Sequence, residues 1–159
     1  MTDAKSRREA MPDRDAAPTL SLERRFKSPR ETVFRAWTEP ERMAKWFGPD
    51  GCTVPVCEID LCPGGAWRAC ILSSECKEHF VGGVYLEIDP PEYLSFTWAW
   101  ETDGVPGHEM VVAVEFHDRD GSTEMIFHQT QFDSSKNRDD HERGWSSSFE
   151  CLERTLIEE

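Results

Sequence analysis

The sequence predicts an α+β fold in which a curved, seven-stranded antiparallel sheet wraps around a long C-terminal helix. Two short helices separate the first strand from the second. Three observations predict this fold. Seven runs of strand-like residues are joined by short segments rich in turn residues. Two helix-start signals follow the first strand directly. The last segment carries one apolar stripe at helical spacing.

The N-terminal segment differs in composition from the rest of the chain. The protein has 159 residues, which is enough for one domain with its own core. Residues 1–17 are charged and lack a hydrophobic period, so we expect a disordered N-terminal arm there. Residues 18–159 are then expected to form a single folded domain. Its first strand is predicted at residues 19–27, where Leu20 and Leu22 alternate with other side chains.

Two helix-start signals come next. Segment 28–31 (Ser-Pro-Arg-Glu) offers a serine N-cap, a proline at the first helical position and a glutamate three residues after the cap. Segment 38–41 (Thr-Glu-Pro-Glu) repeats this signal, so the first helix should end near Trp37. The second helix is predicted to carry residues 43–47 and to stop at Gly48.

Six further strands are predicted after the helices. The double proline at 90–91 must interrupt the strand that precedes it, because proline lacks an N–H and fixes φ. Segment 118–121 (Asp-Arg-Asp-Gly) predicts a hairpin turn between the last two strands. The six strands are predicted at residues 52–60, 66–73, 79–88, 93–101, 109–117 and 123–131.

The last segment is predicted to be the longest helix, at about residues 135–158. Trp145, Phe149, Leu152 and Leu156 follow one another at spacings of four, three and four, which gives one apolar stripe. Gly144 lies inside this helix, where it costs about 1 kcal/mol relative to alanine. Two interpretations remain open: the helix packs closely on the sheet, or space for a ligand remains beside Trp145.

Composition and charge exclude several classes of function. The net charge of −13 repels the phosphate backbone, so we expect no nucleic-acid partner. We see neither a signal peptide nor an apolar run long enough to cross a bilayer, so we expect no membrane insertion and a cytoplasmic location. The six cysteines include no C-x-x-C pair. We therefore expect reduced thiols, no metal site and no cofactor.

Several segments together carry a family resemblance. The order of one strand, two short helices, six strands and one long helix is a helix-grip arrangement. The chain resembles, over about residues 19–158, the stand-alone domains similar to the C-terminal domain of the activator of the 90-kDa heat-shock-protein ATPase. That family belongs to the START and birch-pollen-allergen-like superfamily (SRPBCC). The segments that carry the resemblance are 28–40, 46–49, 60–68, 83–92, 96–98 and 144–145.

The resemblance implies a cavity between the sheet and the terminal helix. Superfamily members use this cavity for lipids, hormones, polyketides or other apolar molecules. Phe96, Trp98 and Trp100 alternate along one predicted strand and therefore share one of its faces. They could line such a cavity or fill it. The candidate cavity residues are Trp46, Trp67, Tyr85, Glu87, Phe96, Trp98, Trp100, His128, His141, Trp145 and Phe149.

Three functions are compatible with these residues. The leading hypothesis is a protein that binds a small apolar or amphipathic molecule. The second is an enzyme of cyclase or hydratase type, in which Glu87 and His128 transfer protons inside the same cavity. Alternation places Glu87 on the face of Tyr85, but Glu87 could instead pair with an arginine such as Arg68. His128 could face solvent, and His141 is expected at the helix rim. The third is a protein-interaction module, either a chaperone partner or a homodimer.

Overall fold

The helix-grip fold predicted from the sequence is confirmed. The computed structural model describes residues 18–158, so the predicted arm at residues 1–17 lies outside the described part of the chain. The strands are β1 (Leu20–Phe26), β2 (Thr53–Ile59), β3 (Ala66–Leu72), β4 (Glu78–Asp89), β5 (Tyr93–Thr102), β6 (Val105–Pro106), β7 (Met110–Arg119) and β8 (Ser122–Thr130). The helices are α1 (Arg30–Thr38), α2 (Pro40–Met43) and α3 (Ser135–Glu158).

The strands form one antiparallel sheet in the order β1-β8-β7-β5-β4-β3-β2. The first strand, β1, pairs with the last strand, β8, and forms one edge of the sheet, while β2 forms the opposite edge. The structure adds one strand that the sequence analysis did not predict. This strand, β6, has only two residues and pairs with Glu101 and Thr102 at the end of β5. Two residues are too few to produce an alternation that the sequence could reveal.

The two short helices start one residue later than the sequence indicated. The serine N-cap was a wrong prediction, because Pro29 occupies the N-cap position of α1 and no side chain caps it. The carbonyl of Ser28 instead accepts a hydrogen bond from Thr123 Oγ1 at 2.7 Å, which ties the start of α1 to β8. Thr38 is the last residue of α1, and its hydroxyl donates to the carbonyl of Phe34. Regular helix α2 ends at Met43, and a turn continues to Trp46.

Helix α3 lies across the concave face of the sheet, and Trp145 is the centre of this contact. Its ring centroid lies 4.6 Å from that of Phe127 on β8 and 5.1 Å from that of Trp98 on β5. Trp37 of α1 stacks on it at 5.8 Å. Aromatic pairs in this distance range stabilise a core beyond the area they bury. Trp145 therefore fixes the position of α3 relative to both halves of the sheet.

Candidate functional site

A pocket of about 320 Å³ lies between the sheet and the N-terminal half of α3. This main pocket is open to solvent and mostly apolar, and its volume falls at the lower end of the range of small-molecule sites. It is bounded by β3 and β5, by the N-terminal half of α3 and by the segment that follows α2. The lining residues are Phe47, Gly48, Pro49, Ile71, Trp98, Trp100, Asn137, Asp140, His141, Gly144, Trp145 and Ser148.

The pocket exists because the two halves of α3 carry different side chains. In the C-terminal half, Phe149 and Leu152 are fully buried against the sheet and fill the space beneath the helix. In the N-terminal half, the positions that face the pocket, apart from Trp145, carry Gly144 and polar residues such as Asn137. A Cβ atom placed on Gly144 would meet only Pro49 Cγ, at 3.9 Å. The helix therefore leaves space uncovered at this end of the sheet.

A chain of hydrogen bonds forms one wall of the main pocket. Trp100 Nε1 donates to His141 Nε2 at 3.1 Å. Since an indole N–H can only donate, His141 Nε2 must be the unprotonated nitrogen. His141 Nδ1 then carries the proton and donates to Gln129 Oε1 at 3.1 Å. The same oxygen accepts a second bond from Trp145 Nε1 at 2.8 Å. The fully buried amide of Gln129 thus orients two residues of the pocket wall.

His141 is neutral in this environment. Burial lowers its pKa from the usual 6.5 to about 4, and the nearby Asp140 and Asp133 carboxylates oppose that shift only in part. The expectation that His141 lies on the helix rim was wrong, since its side chain is buried against Trp98 and Trp100. Both ring nitrogens have protein partners, so this histidine has no free nitrogen with which to act on a ligand.

The structure divides the candidate residues into three groups. The aromatic face of β5 is itself divided: Trp98 and Trp100 line the pocket, whereas Phe96 packs against Trp67 at 5.4 Å inside the core. Residues that line the main pocket are Trp98, Trp100, His141 and Trp145. Residues that pack in the core are Trp46, Trp67, Tyr85, Phe96 and Phe149. Residues on the outer face of the sheet, away from α3, are Glu87 and His128.

The expectation that Tyr85 and Glu87 share a face was wrong. A β-bulge shifts the register of β4, so Tyr85 pairs with Phe96 while Glu87 pairs with the adjacent Ser95. Neighbouring residues on β5 point to opposite faces, so the two β4 residues do as well. Tyr85 is buried, and this burial raises the pKa of its phenol. Arg68, the suggested partner of Glu87, binds Glu101 with two hydrogen bonds of 2.8 and 2.9 Å.

His128 also lies on the outer face of the sheet. Its neighbours Phe127 and Gln129 are fully buried, so alternation directs His128 away from the core. Its Nδ1 lies 2.9 Å from the hydroxyl of Ser21 on the adjacent strand β1. Glu87 and His128 are therefore not brought together in the pocket, which removes the geometric basis of the proposed proton transfer.

Sequence reasoning missed several residues of the site, and Gln129 is the most important of them. Met125, Phe127 and Gln129 lie at alternating positions, which is a signal that Gln129 points into the core. The segment after α2 was recognised only as a helix stop. The other missed residues are Phe47, Gly48, Pro49, Ile71, Asn137, Asp140, Gly144 and Ser148.

A second pocket of about 280 Å³ lies at the other end of α3. It is mostly polar, and Trp46 contributes to its wall together with Lys45 and Arg154.

Within residues 18–158, no group of three or more His, Cys, Asp or Glu side chains is placed to hold a metal ion. No helix in this part of the chain is both long and apolar enough to span a membrane.

Comparison with known proteins gives the family of this chain. The family model described as Activator of Hsp90 ATPase homolog 1-like protein matches residues 27–156. The crystal structure of the AHSA1 protein from Silicibacter pomeroyi is 27% identical and has a TM-score of 0.81. That match covers 88% of this chain and 98% of the other. No curated protein sequence matches the chain significantly.

Two further solved structures are similar. A protein from Chromobacterium violaceum is 28% identical, with a TM-score of 0.78 and coverage of 86% of this chain and 94% of that one. A solution structure of a protein from Arthrobacter aurescens has a TM-score of 0.82, with coverage of 93% and 90%. Its identity is 19%, so it supports the fold alone.

Proposed function

The chain belongs to the family of activator of Hsp90 ATPase homolog 1-like proteins, and from this and its pocket we propose that it binds a small apolar or amphipathic molecule. The observation that carries the proposal is the main pocket itself. A sheet and a terminal helix that enclose about 320 Å³ lined by Trp98, Trp100 and Trp145 form a site suited to an apolar guest.

The polarity of the pocket suggests how the molecule would lie. Ile71, Trp98 and Trp145 are buried and would contact its apolar part. Burial of that part would contribute about 25 cal/mol per Å². Asn137 and Asp140 are half-buried and would lie near its polar end at the opening of the pocket. The Trp100–His141–Gln129 bonds hold the wall in place before the ligand arrives, which reduces the entropy lost on binding.

An enzymatic function is less well supported. Glu87 and His128 lie on the outer face of the sheet, and both nitrogens of His141 have protein partners.

An interaction with a chaperone or a second copy of the chain stays a prediction. The exposed large apolar side chains of the described residues are Leu61, Val84, Leu86, Val105 and Ile157.

The test uses a variant that fills the pocket. A library of lipids and metabolites would be screened by thermal shift, and native mass spectrometry would detect compounds that co-purify with the protein. Gly144→Leu places a branched side chain in the pocket, so it is expected to abolish the shifts and the bound mass. Glu150→Leu adds a leucine to an exposed position of the same helix and is expected to leave both unchanged.

Two results would contradict the proposed function. One is a screen in which no compound stabilises the protein and no bound mass is found. The other is a set of compounds that bind Gly144→Leu as tightly as they bind the natural protein, because these compounds would then occupy another site.

A further inference from the structure

Of the four ring N–H donors in the pocket lining, three already have protein partners. The N–H of Trp100 is bonded to His141, and the N–H groups of Trp145 and His141 are both bonded to Gln129. Trp98 Nε1 is buried and has no partner within the described residues, and an N–H group can bind an uncharged acceptor as well as an anion. The hydroxyl of Ser148 is a further polar group of the lining, and it is uncharged.

The charged groups near the opening do not favour an anion. Among the described residues that line the main pocket, none is Lys or Arg, and Asp140 is the one ionised side chain. Lys136 and Arg143 both bind the Asp140 carboxylate, and their side chains are 85% and 72% exposed. Over residues 133–143 the chain carries one more carboxylate than cationic side chain. The pocket lining therefore offers no cation to a bound carboxylate, and the two nearby cations are already engaged with Asp140.

The start of α3 does not supply an anion site either. The positive end of a helix dipole acts mainly on its first turn. In this helix the first-turn N–H of Asn137 already donates to the hydroxyl of Ser134 at 3.0 Å. The side-chain amide of Asn137 donates to Asp133 at 3.0 Å. The backbone N–H and the side-chain amide of Asn137, the first-turn residue that lines the pocket, thus both have partners on their own chain.

We propose, as an extension of the proposed function, that the main pocket selects against anionic ligands. Its ligand is an aromatic or aliphatic molecule whose polar end is a hydroxyl or an amine. The apolar body lies against Trp98 and Trp145, and the donor group lies at the opening, where the Asp140 carboxylate can accept a hydrogen bond. A carboxylate, sulfate or phosphate would leave water for a wall without a free cation, and that desolvation is not compensated. Fatty acids and acyl phosphates are therefore expected to bind more weakly than alcohols and amines with the same apolar body.

The test compares three probes that share one apolar body. Naphthylmethanol is neutral, naphthylmethylamine is cationic and naphthoate is anionic at neutral pH. Calorimetry at low and moderate salt gives the dissociation constant of each. We expect the alcohol and the amine to bind at least about tenfold more tightly than naphthoate. We expect added salt to weaken the amine and to leave the alcohol unchanged, because only the amine attracts Asp140 through charge.

A matched pair of variants identifies the source of the discrimination. Asp140→Asn removes the carboxylate at the opening. It is expected to reduce the ratio between the dissociation constants of naphthoate and naphthylmethylamine, called the gap below, by about fivefold. Asp139→Asn makes the same change one residue away, outside the pocket lining, where Asp139 binds Arg138. It is expected to leave the gap unchanged.

The outcomes separate the two proposals. If naphthoate binds as tightly as the alcohol, the selection against anions is wrong, while the proposed function survives. If Asp139→Asn narrows the gap as much as Asp140→Asn does, the discrimination is a property of the whole surface, and the inference about this pocket is overturned. If none of the three probes binds, the pocket is not a ligand site, and the proposed function and the inference fail together.

Discussion

Gly144 gives the sharpest test of whether the pocket serves a function. Nothing in the local structure requires a glycine there. A Cβ atom would meet only Pro49 Cγ at 3.9 Å, which is an ordinary van der Waals distance, and the residue lies within regular helix α3. Alanine is favoured over glycine by about 1 kcal/mol in a helix interior. Gly144→Ala should therefore raise the free energy of unfolding by about 1 kcal/mol.

The same substitution is expected to weaken ligand binding. Its methyl group would occupy part of the main pocket, beside Trp145 and Ser148. An extra methyl group in a close-packed contact typically costs about 1–3 kcal/mol, so affinity for a ligand that fills the pocket should fall about tenfold. A variant that is more stable but binds more weakly would show that Gly144 serves ligand binding, because it leaves pocket volume that a side chain would fill.

Urea denaturation and calorimetry measure the two effects separately. The stability gain corresponds to a rise of about 3 °C in the melting temperature of a domain of this size. Glu150→Ala on the exposed side of α3 is the control, for which affinity should not change. A loss of stability in Gly144→Ala would refute the reasoning, since it would mean that packing or backbone geometry requires the glycine. A gain in stability with unchanged affinity would show that ligands bind elsewhere.

Two further predictions concern the bonded wall of the pocket. Lowering the pH from 7 to 5 should reduce the free energy of unfolding by about 2 kcal/mol, because the pKa of His141 is about 4 when folded and near 6.5 when unfolded. The unfolded chain therefore takes up the proton first, and stability declines as pH falls below about 6.5. Urea titrations should show this loss in His128→Gln but not in His141→Phe; an equal loss in both would contradict it. Gln129→Leu should cost about 2–4 kcal/mol in the same assay, because Trp145 Nε1 and His141 Nδ1 both lose their acceptor. An unchanged unfolding midpoint would mean that these bonds add nothing to stability.

Much of the fold was predictable because it depends on local signals. The double proline at 90–91 separates β4 from β5 in any conformation, since neither proline can donate to a ladder. The spacing of Trp145, Phe149 and Leu152 defines one face of a helix before any partner is known. Alternation along β5 correctly placed Trp98 and Trp100 on one face, and both line the pocket.

The site was less predictable because it depends on register and on burial. The bulge after Tyr85 turns Glu87 to the opposite face, and a single extra residue in one strand leaves little trace in the sequence. The position of His141 was misjudged for a related reason. Helical spacing places it near Trp145, but only its packing against Trp98 and Trp100 of β5 shows that it is buried. The bond from Trp100 Nε1 shows that its Nε2 carries no proton.

The amino-acid order by itself determined the longer elements, their sequence and the inner faces of β5 and α3, because turn residues and hydrophobic periods act over a few neighbouring positions. It also determined that residues 135–158 form a long helix in which Gly144 directly precedes Trp145. Only the tertiary structure decided that the aromatic face of β5 is half core and half pocket. Whether the space above this face is filled depends on the side chains of α3 that lie opposite it. Those side chains are distant from β5 in the sequence and meet it only after folding.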